Sequence, residues 1–194
     1  GTASLRREDP FSTVMIDHLT LAAFRSGVVF DPVHFADLGR VDLARYRAIV
    51  FGNVYQLTDA QRRDIRERVA AGGRTLVWYY APGYSDGASL DPARIGALTG
   101  VRIAPFSVTG APAVEFTPPG GESVRYTTGK AAVTPLFAVD DPAAEILGRY
   151  AGTERGAIAR RVFPAHTAWY VAVPHTGVEP LRHILQSAGA HRYV

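Results

Sequence analysis

Seven residues carry the side chains with which this sequence could do chemistry. Asn53 and Tyr55 follow the apolar run Ala48 to Gly52, and Tyr80, Tyr84, Ser85 and Asp86 end or follow the run Thr75 to Tyr80. His175 comes just after a third apolar run, Ala168 to Val173. Runs this short, rich in β-branched and aromatic residues, read as buried parallel strands. Ligands collect at the carboxyl ends of such strands, so the residues that follow them are expected to gather at one sheet end. Tyrosines beside an amide and a carboxylate suit sugar stacking or a subunit contact. Contact or plain packing is the favoured reading, and no catalytic residue is assigned.

More demanding chemistry fails on spacing. Gly83, Ser85 and Gly87 fit G-x-S-x-G, but a nucleophile elbow places the serine directly between strand and helix. Here Pro82 and Gly83 precede it and the next helix waits until about Asp91, so a turn is expected. The six histidines, at 18, 34, 166, 175, 183 and 191, show no compact ligand spacing, so no metal is assigned. Neither G-x-G-x-x-G nor G-x-x-x-x-G-K-[ST] occurs, and no cofactor is expected. With no cysteine, disulfides, thiolate ligands and cysteine nucleophiles are excluded.

Those residues need elements to hold them. A helix is expected from about Ser12 to Gly27, with an apolar stripe of Val14, Leu19, Leu21, Ala22 and Phe24, followed by a strand at Val28 to Phe30. Thr58 and Gln61 form a capping box for a helix that ends at Gly72-Gly73, which makes a strand–helix–strand unit with the two apolar runs. Asp91 and Pro92 open a short helix that stops at Gly100. Residues 101–135, rich in Pro, Gly, Thr and Val, read as a β-rich segment. Strands are expected at Glu145 to Tyr150, Ala157 to Val162 and Ala168 to Val173, then a second capping box, Thr176 with Glu179, and a helix ended by Gly189.

Composition bounds the partners. The chain has 194 residues, 47% of them hydrophobic, and suits one domain with a real core. Its formal charge is only +3, and the arginines at 62, 63, 66 and 68 interleave with Asp59, Asp64 and Glu67. They read as a solvated helix face, and no nucleic acid is expected. No apolar run approaches the ~20 residues of a membrane helix, and no membrane partner is expected. Residues 2–11 lack the buried strand that normally opens a doubly wound domain, and residue 1 is glycine. The chain is therefore expected to be a piece of a longer polypeptide.

The stretch YRAIVFGNVYQLTDAQRRDIRERVAAGGRTLVWYYAPGYSDG, followed by LDPARIGALTGVRI, resembles the amidotransferase-like trimerisation domain of glycoside hydrolase family 42 β-galactosidases and related glycosidase-like proteins. AEILGRYAGTERGAIARR, TAWYVAVP and LRHILQSAGAHRY are similar to the way such domains finish. The likeness covers roughly residues 20–110 and 136–194. It implies an α/β, three-layer sandwich with a mostly parallel, flavodoxin-like sheet, forming a single amidotransferase-like domain over residues 1–194. It also implies a non-catalytic accessory or oligomerisation domain of a β-galactosidase-like glycoside hydrolase, without the amidotransferase nucleophile. The expected partners are other domains or subunits of the same protein, and carbohydrate; a bacterial cytoplasm is slightly favoured over other compartments. The alternative is an autonomous hydrolase or sugar-binding module that uses the strand-end residues.

Overall fold

The computed structural model describes residues 13–129 and 132–193. Within them the strands are β1 (Ala48–Phe51), β2 (Arg74–Tyr79), β3 (Ile103–Phe106), β4 (Ala113–Phe116) and β5 (Val124–Thr127). They continue with β6 (Leu136–Val139), β7 (Glu145–Tyr150), β8 (Gly156–Val162) and β9 (His166–Val171). All nine belong to one sheet with the main order β1-β2-β9-β8-β7-β4-β5, while β6 bridges β3 to β8.

Of the nine strands only β1, β2 and β9 pair in parallel; every other pairing between these strands is antiparallel. The sheet is therefore mixed where a mostly parallel one was expected, and it curls into a half-barrel. The cause is connectivity. Parallel neighbours need a long crossover, usually a helix, and the chain between β3 and β9 contains no helix among its described residues. The β-rich segment at 101–135 is thus no appendage, because β4 and β5 extend the sheet through β7.

The helices carry the signals that make them. α1 comprises a π-helical turn, Thr13–His18, running into an α-helix, Leu19–Arg25. In α2, an α-helix (Asp59–Asp64) runs into a π-helical turn (Ile65–Val69), and both reciprocal bonds of the Thr58–Gln61 capping box are made. α3 (Ala93–Thr99) starts under the Asp91 carboxylate, which accepts from the Ala93 N–H. It ends at Gly100, where φ is +73° and a Cβ would lie 2.5 Å from the Phe163 ring. Only glycine suits that stop. α4 (Val178–Ser187) buries Leu181, Ile184 and Leu185, and its His183 ring meets Phe116 and Trp169 edge-on. From Thr75 to Tyr79 and from Ala168 to Val171 every residue is buried, so both faces of β2 and β9 are covered.

Three local expectations fail for identifiable reasons. Val28 makes one bridge to Arg192, and Val28 to Phe30 forms no strand because no partner runs beside it. Leu19 and Ala22 of the α1 stripe are buried with Met15, but Leu21 and Phe24 are exposed, Phe24 against Phe30. The expected start at Ser12 and the Val14 side chain lie outside what is described. Thr176 does not cap α4: Gly177 is its N-cap, and the Thr176 hydroxyl bonds the Gly177 carbonyl and meets the Tyr79 hydroxyl instead.

Candidate functional site

At the end of β2 the backbone turns over. Tyr80 has φ +62°, a left-handed conformation that side-chain-bearing residues adopt at a cost of order 1–3 kcal/mol. The Tyr80 N–H still continues the β2–β9 ladder to the Val171 carbonyl, 2.7 Å away, and the turn beyond it brings the Tyr80 carbonyl under the Tyr170 hydroxyl at 2.5 Å. The Tyr80 hydroxyl donates in turn to the Pro135 carbonyl at 2.5 Å. Beside it, the Tyr150 hydroxyl donates to the carbonyls of Phe137 at 2.6 Å and Ala172 at 3.3 Å. Three tyrosine hydroxyls thus fill the junction where the parallel strands give way to β6, β7 and β8. Burial raises the ionisation of Tyr80, Tyr150 and Tyr170 above the ordinary phenol value, so all three are neutral donors.

Outside this plug lies a second aromatic layer. Tyr55 stacks over Tyr80 with ring centres 6.4 Å apart and meets Tyr84 edge-on; Tyr84 also meets Phe137 edge-on. Of the seven strand-end residues singled out in the sequence, Tyr55, Tyr80 and Tyr84 converge, and Ser85 follows in the next turn. Its hydroxyl accepts from the Gly87 N–H at 3.0 Å, and its residue is buried. Asp86 accepts from the N–H groups of Ala88 and Ser89 and pairs with Arg94 at 2.6 Å. Those backbone bonds, the Ser89 one first, hold its carboxyl down at about 2.

Arg62 fastens this turn to α2. It is 5% exposed, not part of a solvated face as its neighbours Arg63 and Arg66 are, and it donates to the carbonyls of Gly83 and Ser85 and to Asp59. Its position gave a possible signal: it is three residues after Asp59, just inside the cap, on the same side as Ile65 and Val69. Nothing in the sequence links it to Gly83.

His175 and Asn53 stand apart from this group. Asn53 is exposed beyond β1. His175 is buried in a separate cluster, with its Nδ1 2.8 Å from the Thr176 carbonyl and its ring against His18 and Tyr126. Its Nε2 and the Tyr126 hydroxyl are both buried without a hydrogen-bond partner. The partners of Ser85, Asp86 and His175 do not overlap, so no serine–histidine–carboxylate relay is assembled. Among the described residues no three of His, Cys, Asp and Glu are placed to hold a metal. Two open concavities lie elsewhere among the described residues. One, about 310 Å³, is flanked by Phe116, Val124 and His183; the other, about 530 Å³, by Gly96, Gly100 and Arg161.

The mixed α/β sheet with this helical cover is a fold also seen in parts of other solved structures. The chain is similar to part of a β-galactosidase from the haloarchaeon Halorubrum lacusprofundi, with a TM-score of 0.65 and 19% identity over 92% of this chain and 27% of that one. It is also similar to a β-galactosidase from Bacillus circulans sp. alkalophilus (TM-score 0.58, 16% identity, 78% of this chain and 24% of that one). A third similar structure is a ThuA-like protein from Bacteroides uniformis (TM-score 0.58, 15% identity), aligned over 95% of this chain and 86% of that one. At these identities the likeness is one of fold. The chain spans about a quarter of the length of the two β-galactosidases. No protein-family model and no curated protein sequence matches it.

Two expectations follow. Tyr170→Phe leaves the buried Tyr80 carbonyl without its donor, and should lower stability by about 1–3 kcal/mol in urea denaturation while the far-ultraviolet circular dichroism stays native. His166, His175 and His183 all have their pKa lowered by burial. The unfolded chain protonates them near pH 6.5 while the folded one resists, so stability is full above that value and falls as pH drops below it. Denaturation midpoints measured between pH 7.5 and about 5 should show this decline. It should be shallower in His175→Gln.

Proposed function

We propose that this chain is a non-catalytic accessory domain that mediates association within a glycoside-hydrolase-like protein, on an amidotransferase-type fold that lacks its nucleophile. The observation that carries the reading is the occupied strand end. Where an α/β enzyme keeps a crevice open for substrate, this chain places Tyr80, Tyr150 and Tyr170 and uses each hydroxyl on an internal carbonyl. Ser85 and Asp86 are spent on their own turn, and the sequence has no cysteine.

The likeness to one part of two β-galactosidases supports an accessory role, and the chain's share of their length supports its being a single domain of a longer protein. Double-sided burial of β2 and β9 supports reading the core as a flavodoxin-like three-layer sandwich, with the antiparallel half as an elaboration. Its partners on this reading are other domains or subunits of the same protein. Among the described residues no helix is long and apolar enough to cross a membrane.

The test is a joint one on the whole chain. Nitrophenyl β-galactoside should be hydrolysed no faster than in buffer, titration with galactose and lactose should give no binding heat, and light scattering should report a species larger than the monomer. A strict monomer that binds either sugar overturns the reading in favour of a sugar-binding module.

A further inference from the structure

Away from the tyrosine junction, polar side chains from α1, β5 and the end of β9 meet in a second group. His18 closes the π-helical turn of α1, Tyr126 lies on β5, and His175 follows β9 on the approach to α4. The His18 and His175 rings stand edge to face with their centres 5.2 Å apart, and the Tyr126 ring is 6.4 Å from His175.

The backbone fixes the tautomer of His175. Its Nδ1 lies 2.8 Å from the Thr176 carbonyl, and a carbonyl only accepts, so Nδ1 carries the proton and Nε2 is a bare lone pair. Burial lowers the pKa of this ring and keeps it neutral. The residue is 8% exposed, and solvent reaches neither its Nε2 nor the Tyr126 hydroxyl, both of which lack a hydrogen-bond partner. His18 is exposed, and no described group hydrogen-bonds its ring nitrogens.

A buried lone pair and a buried hydroxyl carry a desolvation cost that a partner must offset. Size separates the two simplest partners, a water and a metal ion. A hydrogen-bonded water sits about 2.9 Å from its partner, and water does not reach either atom. A zinc-class ion sits about 2.0–2.1 Å from an imidazole nitrogen and needs less room. Two imidazoles on one tetrahedral ion place their ring centres about 5 Å apart, which matches His18 and His175. An Nδ1–H held by a backbone carbonyl is also how a metal-binding histidine is commonly oriented.

We propose that His18, Tyr126 and His175 form a site for a divalent transition-metal ion of the zinc class, which staples α1 and β5 to the end of β9. No third His, Cys, Asp or Glu joins the two histidines among the described residues. Tyr126 supplies the third ligand as a phenolate, its proton passing to solvent on binding. The exposed side of His18 leaves the fourth position to water.

Zinc titration of the whole chain after chelator treatment, read by competition with a chromophoric chelator and by thermal melting, tests the site. The native chain should bind a single zinc ion, and its melting midpoint should rise with zinc and return when chelator is added. His18→Ala, His175→Gln and Tyr126→Phe should each weaken binding about tenfold or more. His191→Gln alters an exposed histidine outside the group and should bind as the native chain does. Circular dichroism establishes that each variant is folded; His18→Ala changes an exposed side chain and carries the test if a buried variant does not fold. A native chain that binds no zinc overturns the proposal, and so does a folded site variant that binds zinc as tightly as the native chain.

Discussion

The structure turns on hydroxyls of tyrosine bonded to main-chain carbonyls where two kinds of sheet meet. A parallel strand end and an antiparallel hairpin do not share a hydrogen-bonding pattern, so carbonyls at their junction are left without ladder partners. Tyr170 satisfies Tyr80, Tyr80 satisfies Pro135, and Tyr150 satisfies Phe137 and Ala172. Each bond contributes a net ~1 kcal/mol, but leaving such a carbonyl buried and bare costs more than the bond yields. The left-handed backbone at Tyr80 belongs to the same arrangement: its N–H still completes the β2–β9 ladder to Val171, and beyond that turn its carbonyl meets the Tyr170 hydroxyl.

The same packing bears on the chemistry. At this junction the hydroxyls of Tyr80, Tyr150 and Tyr170 are each bonded to a carbonyl of the chain itself. The outer layer of Tyr55 and Tyr84 closes over the plug, and Arg62 holds the following turn by two carbonyls, so Ser85 and Asp86 have fixed structural partners. Among the described residues, apolar side chains are exposed on the outer side of α1, a surface suited to macromolecular contact more than to small ligands.

Local signals were legible in the sequence and long-range ones were not. The Thr58–Gln61 capping box, the Gly100 stop and the buried runs of β2 and β9 depend on neighbours in the chain, and each is where its residues imply. The convergence of Tyr55, Tyr80 and Tyr84 also followed, because it needs only two adjacent parallel strands. The mixed sheet did not follow, since strand direction is set by connections that pattern alone does not reveal. Arg62 looked like its exposed neighbours, and its burial depends on a turn 21 residues away. Tyr150 and Tyr170 drew no attention as site residues because their partners are backbone carbonyls, which carry no sequence signature. His175 shares a sheet end with the tyrosines but meets His18 and Tyr126 instead.

Native-state hydrogen exchange at the Tyr80 amide tests the closed junction most directly. That N–H is bonded to Val171 beneath the tyrosine hydroxyls, so a permanent plug lets it exchange only when the whole domain unfolds. Its protection free energy should equal the global unfolding free energy from urea denaturation. Protection several kcal/mol below that value would show the junction opening on its own, as a ligand-binding crevice does, and would contradict the account.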